Sequence, residues 1–291
     1  MKISSYQDYV NTIKSNYEDN PIDIDIAFFG LCSYQPNAWD YVLESIRKYY
    51  KTEQIVLIND GMEQFDYTDM AKKYNCIILN KKEEICLFWP DIKSSYEYLH
   101  RVKEVCDIVK TEWLIHLHPD VICQGRISYP PNAELAGVVN IENINNFDGQ
   151  SGNKWTGDYW GKVNDLIKKY NPETEIELNG WGWCGGSIMN VNAYYKVYNS
   201  IFGENGIDWI KFLDENIKIA REHEDTLFSI LFNLNGFRYR VWKDNPQYYN
   251  CPVKGAFLHN YKEHYDFKKQ NVTTTEYFIK CRKEIIEKRK I

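Results

Sequence analysis

Apolar and polar residues alternate along the first 120 residues in a pattern that predicts strands separated by helices. Residues 22–32, 54–58, 76–79 and 112–118 are strand-like apolar runs, whereas 38–50, 67–74 and 94–109 carry apolar residues at helical spacing. Apolar runs of this kind are typical of strands that are buried on both faces of a parallel sheet. Because strand–helix–strand units connect parallel strands through right-handed crossovers, we expect an α/β fold with a mostly parallel sheet flanked by helices.

The fourth strand-like run ends in residues that could carry chemistry. Side chains alternate between the two faces of a strand, so one face carries Leu114, His116, His118 and Asp120. Pro119 cannot donate to a sheet ladder, so the strand should end there. A carboxylate just past the carboxyl end of a buried strand lies where open α/β sheets bind ligands, and its hard oxygen suits Mg²⁺ or Mn²⁺. Asp120 is therefore the predicted centre of the site.

The rest of the chain is predicted to extend the same domain. We expect strands at 135–141, 187–191 and 237–242 and helices at 207–220 and from 224–225 through 233. We divide the chain into an N-terminal arm or helix (1–21), one domain with two halves (22–125 and 126–265), and a C-terminal helix (266–291). The arm is expected to cover a sheet edge.

Two stretches in the second half have little periodicity. Residues 143–160 are rich in Asn, Gly, Asp and Trp, which predicts a long functional loop. Residues 180–187 contain four glycines and two tryptophans, so the backbone could approach a ligand closely beside flat aromatic rings. The alternative for the second stretch is a sharp turn that leads into the strand at 187–191.

Composition limits the classes of protein that the chain can belong to. With 291 residues and 44% hydrophobic content it can bury a large core, and its formal charge of −6 argues against general nucleic-acid binding. The aromatic content of 15%, with 23 Tyr and 9 Trp, suits stacking on sugar rings and bases as well as core packing.

The compartment is predicted from cysteines and hydropathy. The eight cysteines form no CxxC pair and no dense framework, which favours free buried thiols in a reducing compartment. Residues 1–10 are polar and lack the apolar core of a signal peptide, and no apolar run approaches the roughly 18 residues of a membrane span. We expect a soluble cytoplasmic protein, or one peripheral to a membrane.

Several short motifs follow one another between residues 22 and 265. No GxGxxG follows the first strand and no GxxxxGK[ST] occurs, so neither a dinucleotide fingerprint nor a P-loop is supported. The motifs present are Ser33-Tyr34, Asn59-Asp60-Gly61, Arg101, His118-Pro119-Asp120, Gly182–Asn190, Glu224-Asp225 and His259. Their order and spacing resemble those of glycosyltransferases with the GT-A fold, most closely in pattern the large inverting family 2.

The resemblance implies that residues 22–125 form a nucleotide-sugar-binding half with the donor site, and that residues 126–265 form an acceptor-binding half. By analogy with the family, Ser33 and Tyr34 would lie against the nucleotide base, Asp60 would touch the base or ribose, and Arg101 would belong to the same site. The remaining donor-binding residues would be His118 and Asp120, since His118-Pro119-Asp120 stands in place of the DxD motif. His118 can hydrogen-bond a ribose hydroxyl or bind Mn²⁺, but it removes one negative charge from the site.

The resemblance also implies a metal, an acceptor site and a catalytic base. Asp120 and His259 would hold Mn²⁺ or Mg²⁺ against the diphosphate. The acceptor carbohydrate or glycoconjugate would contact Trp181, Trp183, Gly185 and Gly186. Asp225, beside Glu224, would deprotonate the acceptor hydroxyl, giving an inverting hexosyl- or pentosyltransferase. The simpler interpretation of Glu224-Asp225 is acidic residues at a helix start.

Other functions remain open at this point. His116, His118 and Asp120 also resemble the ligands of a metal-dependent hydrolase, although metallo-β-lactamases need a further histidine where Val121 stands. A catalytically inactive relative that binds nucleotide sugars is the non-enzymatic alternative. A nucleotidyltransferase fits less well, because no glycine-rich loop with an arginine follows the first strand.

Overall fold

An open eight-stranded sheet runs through the described part of the chain. The computed structural model describes residues 20–32, 36–60, 66–82, 85, 92–119, 121–123, 125–139, 158–173, 180–181, 183, 185–217, 224–242, 244–245 and 255–258. The strands are β1 (Ile26–Leu31), β2 (Ile55–Asp60), β3 (Ile77–Lys81), β4 (Trp113–Leu117), β5 (Ile122–Cys123), β6 (Leu135–Val139), β7 (Gly180–Trp181), β8 (Ile188–Asn190), β9 (Tyr239–Val241) and β10 (Phe257–Leu258). The helices are α1 (Pro36–Tyr49), α2 (Thr68–Tyr74), α3 (Ile92–Val109), α4 (Asp158–Tyr170), α5 (Val191–Phe202), α6 (Trp209–Ile217) and α7 (Glu224–Leu234).

The strand order of the main sheet is β3-β2-β1-β4-β8-β6-β7, and β9 pairs with β6. The first four strands are parallel to one another, as the sequence predicts. β8 then runs antiparallel to both β4 and β6, whereas β9 is parallel to β6. β5 and β10 form a separate antiparallel ladder. The predicted α/β class with a mostly parallel sheet flanked by helices is therefore confirmed.

Alternation along the central strands divides the core into two layers. Ala27 and Phe29 of β1 point to one face of the sheet, and Phe28 points to the other. On the Phe28 side, α1 buries its apolar stripe, of which Trp39 and Ile46 are part. On the other side pack α3, α5 and α7. The predicted faces of β4 are also confirmed, because Leu114 lies in one layer and Ile115 and Leu117 in the other.

Local polar contacts fix the helix ends near the sheet. The guanidinium of Arg47, in the last turn of α1, donates to the carbonyls of Tyr50 (2.9 Å) and Tyr74 (2.6 Å). The side chain of Asn190 accepts from the backbone N–H of Ala193 (3.0 Å), which caps α5. Arg47 thus ties the end of α1 to the end of α2, and α5 starts directly from β8.

Two helices were not predicted. α4 begins at Asp158, inside the stretch interpreted as a loop at 143–160, and α5 follows β8 without a break. Val163 and Ile167, four residues apart, are the buried face of α4. The polar residues between them obscured this helical spacing in the sequence. The predicted arm at 1–19, most of the loop at 143–160 and the predicted C-terminal helix lie outside the described residues. None of the described helices combines the length and the hydropathy that a membrane span requires.

Candidate functional site

The carboxyl ends of β1 and β4 form a topological switch point. After β1 the chain continues to β2 and β3 on one side of the sheet, whereas the strands that follow β4 lie on its other side. Open α/β sheets bind ligands in the crevice that this reversal creates. Ser33-Tyr34 follows β1 and His118-Pro119-Asp120 follows β4 directly. Of these residues the structure describes His118 and Pro119, which are both partly exposed, whereas Ser33, Tyr34 and Asp120 lie outside the described residues.

His118 is packed from two sides. Its ring meets the ring of His116 at 86°, with centroids 4.5 Å apart. On another side lies Gly185, where an added Cβ would be 2.9 Å from the Cβ of His118 and 2.5 Å from Cγ2 of Val121. The backbone N–H of Val121 donates to the carbonyl of His118 (3.1 Å). A side chain at position 185 would therefore displace the end of β4.

His116 belongs to the core. It is 1% exposed, its Nδ1 lies 2.9 Å from the carbonyl oxygen of Trp183, and its Nε2 lies 3.4 Å from the hydroxyl of Tyr98. Because a carbonyl only accepts hydrogen bonds, Nδ1 carries a proton. Phe29 and Trp183 stack on His116 at centroid distances of 5.2 and 4.8 Å. Both ring nitrogens thus face protein groups, which opposes a role for His116 as a metal ligand in a hydrolase.

Trp183 is also a core residue. It has 0% exposure, its indole N–H donates to the hydroxyl of Tyr98 (2.7 Å), and its ring stacks on Phe228 at 5.2 Å. A ring without exposed surface cannot stack on a sugar, so we assign Trp183 to the core rather than to the acceptor site. The side chain of Trp181, the other predicted tryptophan, lies outside the described residues.

The two predicted acceptor glycines are buried and support the end of β4. Gly186 has a φ of +81°, which favours glycine, and its N–H donates to the carbonyl of His116 (2.6 Å). The carbonyl of Gly185 accepts from the side-chain amide of Asn245 (3.1 Å). The contacts that the structure gives them are thus with protein, and an acceptor role for either glycine stays a prediction.

Asp60 and Arg101, both predicted to bind the donor, form a buried ion pair with each other. Nη1 of Arg101 bonds Oδ1 of Asp60, and the two side chains are 4% and 2% exposed. The other carboxylate oxygen accepts from the backbone N–H of Ile85 (2.8 Å). A buried ion pair is favourable only with additional hydrogen bonds, and the N–H of Ile85 supplies one of them here. The structure therefore brings the two residues together and connects the end of β2 to α3.

Glu224 and Asp225 lie in the first turn of α7, as predicted, although their side chains lie outside the described residues. Phe228, one turn further along α7, is buried and stacks on Trp183. Trp183 in turn stacks on His116 beneath His118. The start of α7 is thus linked by packed rings to the end of β4.

Asp244 is a buried carboxylate that the sequence analysis missed. It is 0% exposed, and Oδ2 accepts from the backbone N–H groups of Ser128 (2.8 Å) and Tyr129 (2.6 Å), while Oδ1 lies 3.4 Å from the N–H of Ala256. Burial raises the pKa of Asp244 to about 6, against the opposing effect of these backbone N–H groups. The sequence signal for Asp244 was its position, two residues after Trp242 at the end of the predicted strand 237–242. Asp244 ties the loop after β5 to the segment before β10.

We expect Asp244 to make stability depend on pH. Its folded-state pKa is raised from 3.8 to about 6, so the folded protein holds this proton more tightly than the unfolded chain does. The free energy of unfolding should therefore fall by up to about 3 kcal/mol as pH rises from about 4 to about 7. Urea unfolding of the wild type and of Asp244→Asn across this interval measures the difference. A difference that does not change with pH would contradict the assignment.

The fold defines an open α/β protein with a crevice at a topological switch point. No family model and no curated protein matches the sequence. Three solved structures illustrate what the chain is similar to. The apo bifunctional glycosyltransferase WbbM is 12% identical with a TM-score of 0.44, and the match covers 82% of this chain but only 46% of WbbM. The galactosyltransferase LgtC in complex with donor and acceptor sugar analogues is 9% identical with a TM-score of 0.46, and the match covers 80% of this chain and 86% of LgtC.

The third similar structure is a cytidylyltransferase from Leptospira borgpetersenii serovar Hardjo-bovis. It is 11% identical with a TM-score of 0.36, and the match covers 92% of this chain and 95% of the cytidylyltransferase. Because the names include glycosyltransferases and a cytidylyltransferase, these similarities do not fix the reaction.

Proposed function

We propose that this protein is a GT-A glycosyltransferase that moves a sugar from a nucleotide-diphosphate donor to a hydroxyl group of a glycan or glycoconjugate. The observation that carries the proposal is the placement of the predicted donor motifs. Ser33-Tyr34 begins two residues after the end of β1 and His118-Pro119-Asp120 directly follows β4, and these two strands flank the switch point. A nucleotide in this crevice would lie across the carboxyl ends of both strands.

A divalent cation would bind beside the diphosphate, and Asp120 and His259 are its proposed ligands. Asp120 stands two residues before β5 and His259 directly follows β10, and these two strands pair with Ile122 opposite Leu258. Antiparallel pairing brings the start of β5 and the end of β10 to the same end of the ladder, which supports a shared site. Among the described residues no three His, Cys, Asp or Glu side chains form a metal cluster. When bound, Mn²⁺ or Mg²⁺ would stabilise the negative charge on the leaving diphosphate.

Asp225 is the proposed general base. Its carboxylate would take the proton of the acceptor hydroxyl while the hydroxyl oxygen bonds to the anomeric carbon and the bond from that carbon to the diphosphate breaks. Attack from the face opposite the leaving group inverts the configuration. The ring stack from Phe228 of α7 through Trp183 to His116 supports this role, because it links α7 to β4, the strand that the proposed diphosphate ligand Asp120 follows.

A thermal-shift screen of nucleotide sugars with and without Mn²⁺ tests the proposal. A ligand at about 100 times its Kd stabilises a protein by about 2.7 kcal/mol, which corresponds to a rise in Tm of several degrees. Asp120→Ala should lose the Mn²⁺-dependent part of this rise, because the carboxylate ligand is gone. The matched control is Asp69→Ala on exposed α2, which should keep it.

The outcomes of the screen separate the two claims. A wild-type protein whose Tm no nucleotide sugar raises would contradict the proposed function. An Asp120→Ala protein with an unchanged Mn²⁺-dependent rise would contradict the metal ligand alone.

An inactive nucleotide-sugar-binding protein is the second candidate, and His118 in place of a DxD aspartate favours it. The two candidates differ in turnover rather than in binding. Release of nucleoside diphosphate from the bound donor, measured by a coupled assay, identifies the enzyme, whereas binding without release identifies the inactive relative.

A further inference from the structure

The carboxylate of Asp60 is occupied by protein. This inference rests on the proposed function, in which a nucleotide lies across the carboxyl ends of β1 and β4. One oxygen of Asp60 bonds Arg101, the other accepts from the N–H of Ile85 (2.8 Å), and the side chain is 2% exposed. A base that replaced either contact would leave a buried group without its partner, which is unfavourable. The base is therefore expected to contact other groups near the end of β2.

A cavity of about 540 Å³ extends from this strand end, where Asn59 and Asn80 lie, to Asn75, Cys76 and Ile78 at the start of β3. Successive strand residues point to opposite faces of a sheet, so Asn59 faces away from the α3 side, where Asp60 meets Arg101. The cavity lies between α2 and the edge of the sheet, and its polar lining includes Asn59, Asn80, Asp66, Tyr67, Thr68 and Lys72. Its volume falls in the range of about 300–1,000 Å³ that is typical of small-molecule sites.

The lining offers hydrogen-bond donors and acceptors with little net charge. At its buried end the amide of Asn59, which is 2% exposed, donates to Oδ1 of Asn80 (3.0 Å), and Asn80 itself is exposed. Hydrogen bonds from the side chain and backbone of Thr68 lower the pKa of Asp66, so Asp66 is a carboxylate at neutral pH. The ammonium of Lys72 balances this charge. Such a lining suits a neutral polar ring rather than a phosphate group.

The position of the cavity matches the length of a nucleotide. β2 is separated from β4 by β1, which amounts to two strand spacings, or about 10 Å. A nucleoside spans a distance of this order, so a base near Asn59 and Asn80 leaves its diphosphate at the crevice between β1 and β4. Asn59, Asn80 and the crevice between β1 and β4 all lie at the carboxyl ends of the parallel strands.

We propose that the base of the nucleotide donor binds in this cavity and is recognised by the exposed amide of Asn80, which the buried Asn59 holds in place, and not by Asp60. Lys72 and the Asn80 amide donate hydrogen bonds, and Asp66 accepts them. This combination fits a base whose ring N–H is flanked by a carbonyl, as in uracil, thymine and guanine.

Isothermal titration of nucleoside diphosphates with each base, and of inorganic pyrophosphate, tests the proposal. Asn80→Ala should weaken the preferred diphosphate about tenfold, which is the effect of losing about 1.4 kcal/mol of base contact, and should leave pyrophosphate unchanged. Asn80→Asp keeps the oxygen that accepts from Asn59 but replaces the amino donor, so the preference should move towards bases with an amino group. The control is Asp69→Ala, because Asp69 lies on α2, which lines the cavity, but is not itself part of the lining.

The results separate this proposal from the proposed function. Wild-type protein that binds a nucleoside diphosphate, together with an Asn80→Ala protein of equal affinity and equal base preference, would overturn the base site alone. Loss of base preference in a folded Asp60→Asn protein, with Asn80→Ala unaffected, would return base recognition to Asp60. A wild-type protein that binds no nucleoside diphosphate would overturn both proposals.

Discussion

Asp225→Asn is expected to reduce sugar transfer by a factor of about 10² to 10⁴ while donor affinity stays unchanged. An amide cannot take the proton of the acceptor hydroxyl, yet it preserves the shape of the side chain. The first turn of α7 is a favourable place for a carboxylate, because the positive end of the helix dipole stabilises negative charge. Initial rates and the anomeric configuration of the product, followed by proton NMR, measure both the loss and the inversion.

Asp208→Asn is the matched control for this variant. Asp208 stands before α6 and accepts from the backbone N–H of Lys211 (3.0 Å), so it is an aspartate with a capping role. Its replacement should leave transfer unchanged. If Asp225 only caps α7, Asp225→Asn would lower stability by about 1 kcal/mol or less and keep full transfer, and that result would reject the general base.

Arg101→Met is expected to lower the free energy of unfolding by about 3–5 kcal/mol, because it leaves the carboxylate of Asp60 buried without its partner. The methionine fills much of the space of the arginine stem, so the effect comes mainly from the lost ion pair. Urea denaturation followed by circular dichroism measures it.

The control is Lys103→Met on the same helix, since Lys103 pairs with Asp107 at the surface (2.7 Å) and exposed pairs contribute less than about 1 kcal/mol. An equal, small loss in both variants would show that the buried pair contributes no more than the exposed one. In that case Asp60 would have to be protonated or solvated in the folded protein.

The parallel half of the fold could be predicted because each of its strands is followed by an amphipathic helix. The period of the apolar residues gave the faces of β4 correctly, since alternation is a property of the strand itself. Direction is not. β8 follows a connection of irregular composition, and no residue within Ile188–Asn190 distinguishes an antiparallel strand from a parallel one.

For the site, the sequence could predict which residues share a face of a strand. It could not predict how deeply each side chain is buried or which side chains pair. His116 and His118 share one face of the chain, but the rings of Phe29 and Trp183 bury the first and leave the second partly exposed. Asp60 and Arg101 were found separately, because an ion pair between β2 and α3 exists only once α3 has packed on the sheet. Trp183 shows the same limit, since a tryptophan among glycines suits a sugar platform and a packed core equally well.

The ladder of β5 and β10 affects the order in which the molecule can assemble. β1 to β4 are neighbours in the sheet and all lie within residues 26–117, so they can pair early during synthesis. β5 follows them at once but finds its partner only when Phe257 and Leu258 have been made. Chains are synthesised at about 5–20 residues per second, so the end of β4 waits several seconds for this strand. A nascent chain would therefore have its central parallel strands before the ladder beside the proposed catalytic centre is complete.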